Sequence, residues 1–142
     1  MQTAKAETAI AASWTKTPTA TTTPTPTPVY VDLENVCSFI KSRVSVHGIL
    51  SLSAWTSCIG SACFITLDSP ADSDFGGIFI YVHVGSEPNQ MEPLPSSYTM
   101  DDLRVHTNNG RMAVAGDEVI VSGKVRDLKN PCDISVDTIE LP

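Results

Sequence analysis

A Thr/Pro-rich tract near the start of the chain limits most strongly what this sequence can fold into. The tract runs from Trp14 to Pro28, and ordinary globular sequence begins abruptly at Val29. It has too little apolar surface to bury a core, and its prolines favour an extended polyproline II conformation. We therefore predict two parts. Residues 1–28 form an Ala-rich start and an extended Thr/Pro-rich stalk, and residues 29–142 form one folded domain.

The charge balance restricts the partners that the domain can bind. The chain of 142 residues has a net charge of −7, and Lys5, Lys16 and Glu7 contribute +1 to the stalk, which leaves −8 for the domain. Proteins that bind a nucleic-acid backbone usually carry a basic surface. Lys124 and Arg126, which alternate outward on a predicted strand, are too few to offset this charge. We expect no strong nucleic-acid binding.

The stalk also indicates where the protein works. Thr/Pro-rich composition is typical of O-glycosylated stalks. The predicted acceptors are Thr15, Thr17, Thr19, Thr21, Thr22, Thr23, Thr25 and Thr27. The sequence shows neither the apolar stretch of a signal peptide nor an apolar run long enough to span a membrane. We expect an extracellular or cell-surface protein, either processed from a precursor or preceded by a membrane anchor upstream of Met1.

Four cysteines lie in the predicted domain, and their even number suits the disulfides of an exported protein. Three connectivities are possible, and we favour Cys58–Cys63 with Cys37–Cys132. The first pair closes a short loop in which Gly60 allows the chain to turn sharply. The second pair ties the start of the domain to its last hairpin. A zinc site is less well supported, because a Cys-x4-Cys spacing without a second close pair is unusual for zinc. Free thiols are the third possibility.

Apolar residues alternate at period two along the domain, which predicts β-strands. Val44, Val46, Leu50 and Leu52 are expected to point inward on the first strand, with a bulge or bend at Gly48. Further strands are predicted at residues 64–68, 78–84, 118–126 and 132–139. Thr99–Asp102 resembles a capping box that starts a helix of about one turn, and Asn109-Gly110 predicts a tight hairpin. Five main strands and one short helix indicate a small, closed, all-β barrel.

Three stretches resemble the OB-fold of exported bacterial domains, including those attached to secreted nucleases. They are Val44-Ser-Val-His-Gly-Ile-Leu, then Phe64-Ile-Thr-Leu-Asp with Gly76-Gly-Ile-Phe-Ile-Tyr-Val, and finally Gly116-Asp-Glu-Val-Ile-Val-Ser-Gly-Lys-Val. The resemblance covers about Cys37 to Leu141 and implies a five-stranded OB-like barrel. It says less about activity, because OB-folds carry many functions. The acidic charge and the long insert from Gly85 to Ala115 depart from the simpler members.

The third predicted strand carries a candidate contact face. Phe79, Tyr81 and His83 share one side, opposite the aliphatic residues that are expected to fill the barrel. The resemblance implies that this side belongs to the usual ligand face of the fold, where aromatic rings stack on bases or sugars. Two other interpretations stay open: the long insert covers these rings, or they contact another protein.

Other polar residues give weaker signals. Asp68, Asp72 and Asp74 resemble part of a calcium loop, but the later ligand positions are missing, and a solvated acidic loop is the simpler interpretation. The histidines His47, His83 and His106 show no metal spacing. No serine lies in a recognisable nucleophile motif. We predict neither a cofactor nor an enzymatic activity. Trp14 and Trp55 are interpreted as packing residues.

Two function hypotheses follow. The first is a non-enzymatic extracellular structural subunit, at the cell surface or in a filament, that self-associates through its N-terminal segment. The stalk from Trp14 to Pro28 can extend about 45 Å, beyond a domain whose radius of gyration is about 13 Å. The segment Val29–Leu33 could add as a strand to its own sheet or to a neighbour's. The alternative is a stalk-mounted OB-fold module that binds an oligosaccharide, a peptide or single-stranded nucleic acid.

Overall fold

Short strands make up nearly all the regular structure of this chain. The computed structural model describes residues 27–54, 56–70, 75–127 and 132–142. Within these residues the strands are β1 (Val29–Tyr30), β2 (Arg43–Ser51), β3 (Ser57–Ile59), β4 (Ala62–Asp68), β5 (Gly77–His83), β6 (Arg104–His106), β7 (Met112–Val114), β8 (Glu118–Arg126) and β9 (Asp133–Glu140). Two 3-10 helices, Leu33–Ser38 and Met100–Asp102, join them.

Five of the strands close into a barrel. Strand β2 pairs antiparallel with both β4 and β8, β4 pairs antiparallel with β5, and β8 pairs antiparallel with β9. A parallel pairing of β5 with β9 completes the ring. The order around the barrel is therefore β2-β4-β5-β9-β8, which confirms the predicted all-β, five-stranded OB-like barrel.

The barrel interior follows the predicted alternation. Val44, Val46 and Leu50 of β2 are fully buried, and Leu52 is nearly so. On β5 the buried residues are Ile78, Ile80 and Val82. Because successive side chains of a strand point to opposite faces, the residues between them face outward. This alternation places Phe79, Tyr81 and His83 outside the barrel.

Two glycines allow strands to come close together. A Cβ at Gly48 would lie 2.5 Å from the Leu67 side chain, at the point where β2 changes partner from β8 to β4. Of the bulge or bend predicted at Gly48, the bulge is wrong, because the register does not shift there. The irregularity lies between Ser122 and Gly123 of β8, opposite β9. A Cβ at Gly123 would meet the Ser135 carbonyl oxygen at 2.2 Å, and only glycine fits.

The long insert between β5 and β8 packs against one end of the barrel. It buries Met91, Leu103, Val105 and Ala113 completely as part of the core. Hydrogen bonds attach it to the barrel. The Tyr98 hydroxyl donates to the Ser53 carbonyl at 3.0 Å, and the backbone N–H of Ile139 donates to Asn89 Oδ1 at 2.8 Å. The insert therefore shields the apolar end of the barrel from water.

Both local motifs predicted within the insert form. The backbone N–H of Thr99 donates to the Asp102 carboxylate at 2.7 Å, at the start of the 3-10 helix Met100–Asp102. Strands β6 and β7 pair as a hairpin around Asn109-Gly110. Side chains two or three residues apart are enough to specify such motifs, which is why the sequence alone predicts them.

The entry to the domain is tied to its end. Strand β1 pairs parallel with β2, so Val29 and Tyr30 join the chain's own sheet. The 3-10 helix Leu33–Ser38, which the sequence analysis did not predict, then places Cys37 in a disulfide with Cys132. The second disulfide, Cys58–Cys63, joins directly opposite residues of β3 and β4. Both favoured pairings are confirmed. Trp14 and Trp55 lie outside the described residues.

Candidate functional site

The outward face of β4 and β5 carries a cluster of aromatic rings. Phe64 and Tyr81 lie directly opposite each other in the β4–β5 register, and their ring centroids are 5.1 Å apart in an edge-to-face arrangement. The His83 ring follows two residues along β5, with its centroid 5.5 Å from that of Tyr81. Contacts of this geometry between opposite and alternate residues stabilise a sheet. They also group three rings, inclined to one another, on the outside of the barrel.

A cation lies over the central ring of this cluster. The Arg126 guanidinium carbon is 4.5 Å from the centroid of Tyr81, within the range of a cation–π contact. Arg126 also donates two hydrogen bonds to the Asp133 carboxylate, from Nε at 2.8 Å and from Nη2 at 2.6 Å. This bidentate pairing fixes the plane of the guanidinium group.

The two members of this ion pair differ in their surroundings. Asp133 is only 1% exposed, whereas one third of the Arg126 side chain is exposed. Hydrogen bonding to Asp133 raises the pKa of Arg126 above its ordinary value, against the opposing effect of partial burial. The guanidinium is therefore a permanent positive charge over the Tyr81 ring. It can donate hydrogen bonds to an oxygen or an anionic group of a ligand that lies on the rings.

The structure groups the predicted contact residues with residues that the sequence analysis missed. Tyr81 and His83 touch each other, and Phe79 lies on the same outward side, opposite Asp133 in the β5–β9 register. Phe64 and the Arg126–Asp133 pair were not predicted from the sequence. A signal for Phe64 was present, because it is an outward residue in the alternation of β4. Asp133 had none, since its partner depends on how β8 meets β9.

The aromatic side chains keep part of their surface exposed: His83 is exposed, and Phe64, Phe79 and Tyr81 are partly exposed. Hydrogen bonds from the long insert reach Ser53, the end of β9 and the end of β5, where the N–H of Met91 donates to the His83 carbonyl at 2.9 Å. We call Phe64, Phe79, Tyr81, His83 and Arg126 the aromatic face.

The metal hypotheses gain no support from the described side chains. Among residues 27–54, 56–70, 75–127 and 132–142, no group of three His, Cys, Asp or Glu side chains is placed to hold a metal ion. His47 lies 3.3 Å from Glu118, and His106 lies 3.3 Å from Glu92, in two separate pairs. Asp68 ends β4, but Asp72 and Asp74 lie outside the described residues. The calcium hypothesis therefore stays untested.

Of the predicted glycosylation sites, the structure describes Thr27, which is exposed two residues before β1. The other seven threonines lie outside the described residues. Within the part of the chain that is described, no helix has the length and apolar character needed to cross a membrane.

Comparison with protein-family models and with curated protein sequences gives no match. Among solved structures, 19 chains are similar to this one. One of them is a putative aspartyl-tRNA synthetase from Leishmania major Friedlin, with a TM-score of 0.47 and 12% sequence identity. The similarity covers 87% of this chain but only 22% of that protein. At this TM-score and identity, the likeness carries no argument about function.

Proposed function

We propose that this chain is a non-enzymatic extracellular binding domain on a Thr/Pro-rich stalk, and that its aromatic face binds an oligosaccharide. One observation carries the proposal: Phe64, Tyr81 and His83 form a ring cluster, and an anchored guanidinium lies 4.5 Å from the centroid of the Tyr81 ring. Strands β4 and β5 are the second and third strands of the barrel, and these strands form the ligand face of OB-folds. The resemblance to exported bacterial OB domains is consistent with the two disulfides.

The charges of the domain favour a sugar over a nucleic acid. Aromatic rings stack equally well on bases and on the apolar faces of sugar rings, so the rings alone do not choose between them. The charge of −8 on residues 29–142 repels a phosphate backbone, whereas a neutral glycan meets no such penalty. Hydroxyl groups of the glycan would find a donor in Arg126.

Replacing Tyr81 by alanine is expected to weaken glycan binding by about tenfold or more, the cost of losing one stacking platform. His83→Ala, at an exposed position, should weaken binding less and should leave the fold intact. Tyr30→Ala is the matched control, because Tyr30 is a tyrosine that is 61% exposed on β1, away from the aromatic face.

Affinities would be measured by isothermal titration with the full chain, on oligosaccharides first selected on a glycan array. Circular dichroism would establish that each variant is folded. Equal losses for Tyr81→Ala and Tyr30→Ala, or none for either Tyr81→Ala or His83→Ala, would contradict the proposal.

Nucleic-acid binding is expected to be weak. At physiological ionic strength we expect a dissociation constant weaker than about 1 µM for single-stranded or duplex oligonucleotides, because the acidic domain repels phosphates. Fluorescence anisotropy at two salt concentrations measures this directly. Submicromolar binding that weakens steeply with rising salt would contradict this prediction and would indicate that the aromatic face binds nucleic acid.

A second proposed function is the structural one. The chain would then be an extracellular subunit, at the cell surface or in a filament, that self-associates through its N-terminal segment. Exposed sheet edges favour this alternative. On β1, Val29 is 54% exposed and Tyr30 is 61% exposed, and on β3 Ile59 is 68% exposed. Large apolar residues on short edge strands are a typical surface for contact with another chain.

Both functions include O-glycosylation of the stalk. We expect the native protein to be heavier than its 15.2 kDa polypeptide by whole numbers of sugar residues on the threonines between Thr15 and Thr27. Proline keeps these hydroxyls accessible to glycosyltransferases. Intact-mass spectrometry of native material tests this, with material expressed without glycosyltransferases as the reference. Identical masses would show the stalk to be bare.

A further inference from the structure

An apolar groove lies near the end of β2 that is farther from the point where the chain enters the domain. Three exposed side chains form it: Met100 is 46% exposed, Met112 is 41% exposed and Val114 is 41% exposed. The groove has a volume of about 580 Å³, and Asp101 and Arg104 line its rim. Large apolar side chains grouped in this way on a surface are characteristic of a protein–protein contact. Methionines in particular adapt to the shape of an aromatic partner.

The N-terminal segment contains a residue that suits this groove. Trp14 is the one aromatic residue among residues 1–28, and it lies next to a tract that cannot form a core of its own. A tryptophan buries about 150–250 Å² of surface and prefers a site with an acceptor for its indole N–H. The rim carboxylate of Asp101 supplies that acceptor. Lys16 and the +1 charge of the stalk also complement the −8 charge of the domain.

The direction in which the chain enters the domain bears on whether Trp14 can occupy the groove of its own chain or that of a second copy. Strand β1 runs parallel to β2 with Val29 opposite Val44, so the residues before Val29 leave past the first end of β2. The groove lies at the other end, where the N–H of Gly116 donates to the carbonyl of Leu50 at 2.9 Å. Six residues of strand separate the two ends, about 20 Å.

The predicted stiffness of the stalk then favours a second copy. If the Thr/Pro tract from Trp14 to Pro28 is extended as predicted, it would span about 45 Å and would lead away from the chain's own groove. It would have to double back to place Trp14 there, against the polyproline II preference of its four prolines before Val29. A neighbouring domain lies within its reach.

We propose that Trp14 of one copy of this chain occupies the groove formed by Met100, Met112 and Val114 of the next copy. The two contacting surfaces are different, so each copy offers one stalk and one groove, and the contact repeats head to tail. Contacts of this kind generate rings or open filaments. This inference rests on the assembly function proposed above and is independent of ligand binding by the aromatic face.

Size-exclusion chromatography with light scattering, over a range of concentrations, tests the contact with the full chain. We expect the unsubstituted chain to assemble in a concentration-dependent way. Trp14→Ala and Met112→Glu should each weaken assembly by about thirtyfold or more, the size typical of a buried anchor at an interface. Thr22→Ala in the stalk and Ile59→Glu on β3 are the controls, and both should assemble as the unsubstituted chain does.

A mixture of the two variants gives the sharpest test. Trp14→Ala keeps an intact groove and Met112→Glu keeps an intact stalk, so the mixture should form one-to-one dimers that neither variant forms alone. Assembly by Trp14→Ala alone would overturn the groove contact while leaving the assembly function standing. A chain that stays monomeric at all concentrations would overturn both. Loss of assembly only in Ile59→Glu would place the interface on β3 and would contradict the proposed contact between Trp14 and the groove.

Discussion

Replacing Cys37 and Cys132 together by alanine is expected to lower the free energy of unfolding by about 4–5 kcal/mol. The disulfide spans 95 residues, so it closes almost the whole domain into one loop and restricts its unfolded state strongly. It also ties the helix Leu33–Ser38, which precedes the barrel, to the start of β9. A loss of this size removes a large share of the stability of a domain of ordinary size.

The second disulfide provides the matched control. Cys58–Cys63 closes a loop with a sequence separation of 5, so its removal by the corresponding double substitution is expected to cost only about 2 kcal/mol. Urea unfolding followed by circular dichroism measures both variants under the same conditions. A larger loss for the short loop than for the long one would show that loop closure does not set the stabilities.

Arg126→Ala is expected to destabilise the domain by about 3 kcal/mol, because it leaves a buried carboxylate without its partner. Asp133 is 1% exposed and receives two hydrogen bonds from Arg126. In the intact pair, the attraction between the two charges offsets the free-energy cost of removing them from water. Without Arg126, nothing offsets the cost of removing the Asp133 carboxylate from water. Chemical unfolding at neutral pH measures the effect.

Another arginine of the same barrel serves as the control. Arg43 pairs with Asp137, and their side chains are 39% and 50% exposed. Such a surface pair contributes at most about 1 kcal/mol, so Arg43→Ala should be nearly neutral. Combining Arg126→Leu with Asp133→Leu should recover much of the stability that Arg126→Ala loses, because no buried charge remains. Equal effects of Arg126→Ala and Arg43→Ala would contradict this explanation.

Several features of the fold could be predicted from the sequence because they depend on near neighbours. The alternation around Val44 and Val46 and around Ile78 and Ile80 assigns an inner and an outer face to each strand. The Asn109-Gly110 hairpin and the Thr99 capping motif each involve a few consecutive residues. Cys58 and Cys63 are only five residues apart, and this closeness favoured their bridge among the three possible connectivities.

Other features depend on how distant strands meet, and only the tertiary structure decided them. The β4–β5 register places Phe64 opposite Tyr81, and the meeting of β8 with β9 brings Asp133 to Arg126. A register shift lies beside Gly123 and not at Gly48, where a bulge or bend was predicted, and at Gly123 two backbones approach too closely for any side chain. No local pattern contains this information.

The sequence by itself therefore determined an acidic, disulfide-bonded β-barrel with an aromatic strand face. The tertiary structure decided which rings touch, which arginine stacks on them and where Met100 and Met112 form an apolar groove. The physical reason is that a period-two pattern fixes the side of a strand to which a residue points. The residue's neighbours depend on the pairing register, which is set by the packing of the whole barrel.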